Sequence, residues 1–309
     1  KLEIFFKNGK RILDEKKNNL VSSSLKFPNL EKLKKEILRN DIITFDIFDT
    51  LVVRNVIDPH DIFSIVEKNI NKKIKKKINF SLERIIAENK CYNEFSHNFS
   101  LNEVYEKIQK KIKVSAKGLD LIKKEEIETE IRYSSPRNEL VKIFDFAVKN
   151  KKKVSLITDM YLDYKVIKKI LNKSNIKGYR NLLISSELKK NKIHGDIFEF
   201  FKSIEPGKKY LHIGDNYKSD ILSAKKKGFK TFLILNKKEI YTNSSLKSLK
   251  NNISNEFDLT SLGLLSNKIF VKDRFNFFDK TNMPIINNYE DLGYIIFGPL
   301  LYYYTVWLN

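Results

Sequence analysis

The sequence predicts a doubly wound α/β fold, a parallel sheet covered by helices, with an inserted all-helical cap. Two observations predict it. After residue 136, short apolar runs alternate with helical patterns: VSLIT (154–158), NLLIS (181–185), YLHIG (210–214) and KTFLIL (230–235). Before that, one isolated run of the same kind, IITFDIF (42–48), is followed by a stretch in which strand signals are scarce. Continuously apolar strands are those with both sheet faces covered, and strand–helix alternation calls for parallel crossovers.

The elements then follow in order. Residues 1–35 form an N-terminal extension, in which LEIFF and RIL around Asn8-Gly9 predict a hairpin at 1–14. A helix is expected over 29–39. Residues 36–57 and 136–250 make up the α/β core, with helices at 137–150, 162–173, 195–204 and 216–227. Residues 58–135 are the cap. There Ile62, Val66 and Ile70, then Leu82, Ile85 and Ile86, then Val104 and Ile108, then Leu121, Ile127 and Ile131 recur at helical spacing, giving about four helices. Ser100-Leu-Asn-Glu103 is a capping-box pattern at the start of one of them. Residues 238–288 are polar and Asn-rich, with few clear elements. The C-terminal extension, 251–309, closes on LGYIIFGPLLYYYTVWL (292–308), 17 residues interrupted by Gly298-Pro299 and abutted by Glu290 and Asp291. That predicts a buried or docking helix with at most peripheral membrane contact, not a span.

Composition narrows the function. At 309 residues, 41% hydrophobic and 12% aromatic, the chain has ample material for a core, which excludes global disorder. The net charge of +21 is carried almost wholly by Lys spread along the chain among many Asn. No arm or stripe concentrates it, so a specific nucleic-acid partner is not expected, whereas anionic substrates would be attracted. A single cysteine, Cys91, rules out an internal disulfide framework and fits a reducing, cytoplasmic compartment. KLEIFFKNGK lacks the apolar core of a signal peptide. The chain starts at Lys1, so a longer parent protein stays open.

Ligands in open α/β sheets bind beyond the carboxyl ends of the strands, and the candidate groups lie there. Asp46 ends the first apolar run, a costly place for a carboxylate unless a metal, a phosphate or backbone donors meet it. Thr158 ends VSLIT, and its hydroxyl suits a phosphoryl oxygen or a helix cap, with Asp159 the rival cap. Lys192 precedes a helix start and suits a transferring phosphoryl group or plain solvation. HIGDNYKSD places Asp215 directly after a strand and Asp220 five residues on, as a hard-oxygen pair or as helix caps, with Gly214 expected to permit a sharp turn. Arg54 suits a substrate anion or a cap hinge. His60, His97, His194 and His212 have no metal-ligand spacing.

Together, Asp46-Ile-Phe-Asp-Thr50-Leu51, Thr158, Lys192 before GDIF, and Gly214-Asp215 with Asp220 resemble the four ordered motifs of the haloacid dehalogenase superfamily over roughly residues 36–235. The cap falls where that superfamily carries its first type of cap. The resemblance implies an aspartyl-phosphate on Asp46. It implies Mg²⁺ held by Asp46, the Phe48 carbonyl, Asp215 and Asp220, with Thr158 and Lys192 on phosphoryl oxygens. It implies a small phosphorylated substrate, which Arg54 and Asp159 are expected to border, and cap hinges near 54–58 and 134–137. FDIFDTLVVR, SLNEVY, ITDMYL, KIHGDIF and the apolar tail are further similar to a bacterial branch linked to glycosyltransferases and surface-polysaccharide assembly. A glycosyltransferase module, in this chain or another, is the partner implied. One position departs. Phe48 stands where family phosphatases carry a leaving-group acid, so Asp49, Asp159 or a cap residue such as His97 would have to substitute. Otherwise the substrate has a good leaving group, or the module is catalytically weak or non-catalytic within a polysaccharide-assembly protein. The paired acids of GDNYKSD argue for metal-dependent phosphoryl chemistry and against dehalogenation.

Overall fold

The computed structural model describes residues 30–74, 77–242, 245–253, 255–270 and 289–308. The hairpin expected at 1–14 lies outside them. The chain divides into two compact units, one spanning Pro28–Asn236 and one holding the described residues from Lys237 onward. The core expected to run to residue 250 thus closes, as a compact unit, at Asn236.

In the first unit, α1 (Leu30–Arg39) buries Leu33 and Ile37 and delivers the chain to β1 (Ile42–Phe45). The sheet is completed by β4 (Lys153–Thr158), β5 (Leu182–Ile184), β6 (Tyr210–Gly214) and β7 (Lys230–Leu233), in the order β5-β4-β1-β6-β7, every pairing parallel. The chain therefore starts in the middle, builds outward through β4 and β5, then crosses β1 to add β6 and β7. This reversal opens a crevice at the carboxyl end of β1. Register puts Phe45 beside both Leu156 and Ile213, so the residue after β1 emerges between two strand ends. The crossovers are α6 (Asn138–Lys149), α7 (Tyr164–Lys173), α8 (Ser185–Leu188), α9 (Asp196–Ile204) and a wide π-type turn, Tyr217–Ser223, running into α10 (Ala224–Lys226). Ile42, Ile157, Leu183, Phe198, Phe201 and Phe229 belong to a packed apolar cluster that fixes α9 on the sheet.

The cap is α2 (Asp61–Ile74), α3 (Phe80–Phe95), α4 (Leu101–Gln109) and α5 (Ala116–Tyr133), the four helices expected. The capping box forms: the Ser100 N–H and hydroxyl both donate to Glu103 Oε2, at 2.5 and 2.8 Å. Cys91 is buried within α3. The cap joins the core through a stem absent from the sequence reading, the antiparallel pair β2 (Val52–Arg54) and β3 (Ser134–Pro136). Lys173 of α7 steadies it, its ammonium donating to the carbonyls of Ile131, Arg132 and Ser134 at 2.7–2.8 Å.

The second unit corrects the expectation of few elements as far as residue 270; residues 271–288 lie outside the described residues. It contains α11 (Lys237–Thr242), a 3₁₀ helix (Ser245–Asn252) and α12 (Glu256–Phe270). Asn255 caps α12, its Oδ1 accepting the Asp258 N–H at 3.0 Å. The apolar tail forms α13 (Tyr289–Leu292), a π-type turn (Gly293–Phe297) and α14 (Gly298–Leu308). Pro299 cannot donate to the preceding turn, and the helix widens just before it. The tail is not simply a buried helix: Phe297, Leu300, Leu301, Tyr304 and Leu308 are exposed. Its apolar residues surround the whole circumference, so packing one side leaves another outside. Among the described residues no helix is long and apolar enough to cross a membrane.

Candidate active site

Asp46 leaves the end of β1 buried, its N–H donating to the Ile213 carbonyl at 2.8 Å. The next residues fold into a tight loop. Leu51 and Val52 both donate to the Ile47 carbonyl, Asp49 donates to Val52, and Asp49 takes a left-handed backbone with φ of 57°. Arg137, buried at the foot of the stem, pins this loop to the sheet by donating from Nη1 to the carbonyls of Asp49 (2.7 Å) and Leu235 (3.1 Å).

Lys192 arrives on a second loop, built by its neighbours. Asn191 N–H donates to Asp196 Oδ1, and His194 N–H donates to Asn191 Oδ1, both at 2.8 Å. Asp159 receives the Lys192 N–H on both oxygens, at 2.9 and 3.1 Å. Asp159 is thereby committed to placing Lys192. Thr158 ends β4, buried beside it. The Lys192 ammonium donates to Asp46 Oδ1 at 2.8 Å and to Asp220 Oδ1 at 2.6 Å.

Asp220 comes from the third loop. Asn216 caps the π-type turn by accepting the N–H groups of Lys218 and Ser219, and its own N–H donates to Asp220 Oδ2 at 2.9 Å. The turn folds Asp220 back over Gly214, where an added Cβ would lie 2.4 Å from Asp220 Cγ. Gly214 is therefore required for close approach, not for a special backbone angle as the sequence suggested. Asp215 accepts from Thr50 Oγ1 at 3.2 Å and from Asn236 Nδ2 at 2.7 Å.

Three further polar groups complete the site and were missed in the sequence. His212 Nε2 lies 3.1 Å from Asp220 Oδ1, while its Nδ1 lies 2.8 Å from Thr44 Oγ1. A histidine within the apolar run YLHIG was the available signal, and the structure buries it fully. Asn236 gave a weaker one, standing just beyond the β7 run.

Arg54 and Phe48 interact with each other. The Arg54 guanidinium lies 4.7 Å above the Phe48 ring, and its Nε donates to Glu130 of the cap at 2.7 Å. The ring thus supports a cap-to-core ion pair.

Asp46, Asp215 and Asp220 each offer an oxygen within 4.8 Å of the others, a hard-oxygen donor set that fits a small divalent cation. The electrostatics agree. Burial raises the Asp46 carboxyl above its ordinary range, Lys192 opposes this, and Asp220 adds to it. Burial, then Asp46, Asp49 and Asp220, push Asp215 well up. Burial also disfavours charge on Asp220, but Lys192 and His212 outweigh it and hold that carboxyl below the usual range. Burial, against Lys192, pushes Asp159 up to about 7. Lys192 is held firmly charged: burial opposes the ammonium, and Asp220, Asp46 and Asp159 overcome it.

No protein-family model matches the chain, and no curated protein does. Solved structures are similar in chain path. YfnB of Bacillus subtilis, assigned as a HAD-hydrolase and solved with magnesium, is 14% identical at a TM-score of 0.47, covering 65% of this chain and 97% of that one. A 2-haloacid dehalogenase from Pseudomonas syringae gives 14% and 0.48, over 63% of this chain and 86% of that one. A HAD phosphatase from Thermococcus onnurineus gives 15% and 0.44, over 63% and 86%. At that level of similarity the site must be judged on its own side chains.

Proposed function

We propose that this chain is a Mg²⁺-dependent phosphohydrolase or phosphotransferase of haloacid-dehalogenase type that forms an aspartyl-phosphate on Asp46. One observation carries the reading: Lys192 is shared between Asp46 and Asp220, beside Asp215, at the carboxyl ends of β1 and β6. Three carboxylates around one ammonium leave a charge deficit that a divalent cation would balance. Mg²⁺, held by Asp46, the Phe48 carbonyl, Asp215 and Asp220, would neutralise charge between the nucleophile and the incoming anion. Asp46 attacks phosphorus, with its carboxylate oriented by Lys192. Lys192 and the Thr158 hydroxyl hold phosphoryl oxygens, and water or an acceptor alcohol then takes the phosphoryl group from Asp46. On the resemblance alone, the substrate is a small anionic sugar-linked phosphate, and the setting is polysaccharide assembly beside a glycosyltransferase.

The test is Mg²⁺-dependent phosphate release from sugar phosphates, nucleotides and an aryl phosphate, wild type against Asp46→Asn. Turnover in the wild type that vanishes in the variant is expected. Undiminished turnover in Asp46→Asn would overturn the reading. Phe48, packed under Arg54, favours a second reading, a non-catalytic module of a polysaccharide-assembly protein. A folded wild type that binds Mg²⁺ but turns over nothing would select it.

A further inference from the structure

In an in-line phosphoryl transfer the leaving oxygen lies across phosphorus from the nucleophile. With Asp46 at the end of β1, that oxygen points away from the sheet, toward whatever covers the strand ends. Phe48 cannot protonate it. Most acids near the site already have other work: both Asp159 oxygens accept the Lys192 N–H, and Glu130 holds Arg54. Asp49 is held in the loop after β1, its N–H donating to the Val52 carbonyl and its own carbonyl accepting Arg137 Nη1 at 2.7 Å.

The cap brings one group that the reading has not used. Its 96–100 segment, between α3 and α4, is docked on the core beside Lys192. The Asn98 carbonyl accepts Lys189 Nζ at 2.9 Å, Asn98 Oδ1 accepts Asn191 Nδ2 at 3.2 Å, and Leu101 N–H donates to the Tyr161 carbonyl at 2.8 Å. Asn191 directly precedes Lys192. His97 lies in this segment, half-buried, its ring edge-on to Tyr92 with centroids 4.9 Å apart. Among the described residues neither of its ring nitrogens has a hydrogen-bond partner.

We propose that His97 is the cap's catalytic residue, the group that protonates the leaving oxygen in place of the carboxylate missing at Phe48; this rests on the phosphoryl-transfer reading of Asp46. As the Asp46 carboxylate oxygen bonds to phosphorus, the bond from phosphorus to the leaving oxygen breaks. Its electron pair takes the imidazolium proton, giving a neutral alcohol and a neutral imidazole. In the second half, water attacks the phosphorus of the aspartyl-phosphate and gives its proton to that imidazole, and the Asp46 carboxylate leaves with the electron pair. Orthophosphate departs and the cycle closes. The charged and titratable groups facing His97 are Lys192, His194 and Tyr92. Burial, then Lys192 and His194, hold the free imidazole down to about 4. A phosphate dianion at Lys192 would offset the part of that shift that comes from Lys192 and His194, leaving burial as the opposing cause, and so favours proton uptake as substrate binds.

The experiment compares kcat/KM on an alkyl sugar phosphate and on an aryl phosphate with Mg²⁺, for wild type, His97→Asn, His97→Gly and Asp46→Asn. A thermal melt confirms that each variant is folded. General-acid loss predicts a fall of ~10²–10⁴-fold on the alkyl ester in His97→Asn and of less than about tenfold on the aryl ester, whose leaving group needs little help. Added imidazole should restore alkyl turnover to His97→Gly. Equal losses on both esters, no loss, no rescue, or a wild type active on the aryl ester alone would each overturn the proposal and leave Asp46 standing. Asp46→Asn as active as wild type, or a wild type inert on both esters, would remove the underlying reading and this inference with it.

Discussion

The described residues include two buried ionic clusters of similar make-up, one in the core and one in the cap. In the core, Lys192 serves Asp46 and Asp220 beside Asp215. In the cap, Arg84 donates from Nε to Glu126 at 2.9 Å and from Nη1 to Glu88 at 2.6 Å, while the Tyr105 hydroxyl donates to Glu126 at 2.7 Å. Its guanidinium lies over Phe63 at 4.3 Å and over Tyr161 at 4.8 Å. Both clusters are one cation among several carboxylates, both are buried, and burial raises a carboxyl in each. The difference lies in how charge is answered. The cap's two acids both bond the guanidinium directly, in the interior of a helical bundle. In the core, Asp215 accepts, among the described residues, from the neutral donors Thr50 and Asn236, just beyond the carboxyl end of β6. Buried charge alone therefore does not distinguish the two clusters; a carboxylate held by neutral donors at a strand end does.

The comparison breaks if the two cations behave alike in catalysis. Lys192→Met should abolish Mg²⁺-dependent turnover, whereas Arg84→Met should leave aryl-phosphate turnover largely in place. Loss of both, measured as kcat on folded protein, would show that the cap cluster is also machinery. In stability the two should match, since removing one partner of a buried ion pair costs about 3–5 kcal/mol, read from urea unfolding.

A smaller effect sharpens the contrast. Asp215→Asn should raise the melting midpoint of the metal-free protein and remove the stabilisation that Mg²⁺ gives the wild type. The sign follows from linkage. Asp215 has a folded pKa above its unfolded value, so the folded state binds the extra proton, and the contribution of Asp215 to stability falls as pH rises above about 3.8. The gap between Asp215→Asn and wild type should widen as pH rises from 4 toward neutrality. A constant gap would show that the carboxylate is not under strain. Asp220, shifted the other way, contributes stability that is present above its unfolded pKa and lost only in stronger acid, as pH falls through its depressed folded pKa. The smallest effect is at the cap's rim, where Lys73 pairs with Glu125 from a half-exposed position. Lys73→Met should change unfolding free energy by no more than about 1 kcal/mol.

The parts of the molecule with strong periodicity were legible from residues alone. The core strands and the four cap helices lie within a few residues of their expected places, because long apolar runs and helical spacing leave few alternatives. Asp46, Lys192 and Asp220 meet as anticipated although 146 and 28 residues separate the bonded pairs. What escaped was short or indirect. The stem strands are three residues each, and their partners lie some 80 positions apart. The helix Glu256–Phe270 carries Gly263 and several polar residues, which blurred its pattern. Arg137 and Asn236 act through main-chain carbonyls and a carboxylate brought near by folding, and no local pattern encodes that.

The π-type turn at Tyr217–Ser223 has a consequence for how this site tolerates change. An ordinary α-helix advances about 100° per residue, so its pitch decides which side chain faces the strand end. The Asp220 N–H donates to the Asn216 carbonyl at 2.8 Å, so deleting one residue between positions 217 and 219 would rotate the carboxylate by about 100° and swing it away from Gly214. A deletion silent in composition would thus empty one corner of the acidic pocket, while most point substitutions on the turn's exposed side would pass unnoticed. The phase of a single helical turn, more than the identity of its outer residues, holds Asp220 over Gly214.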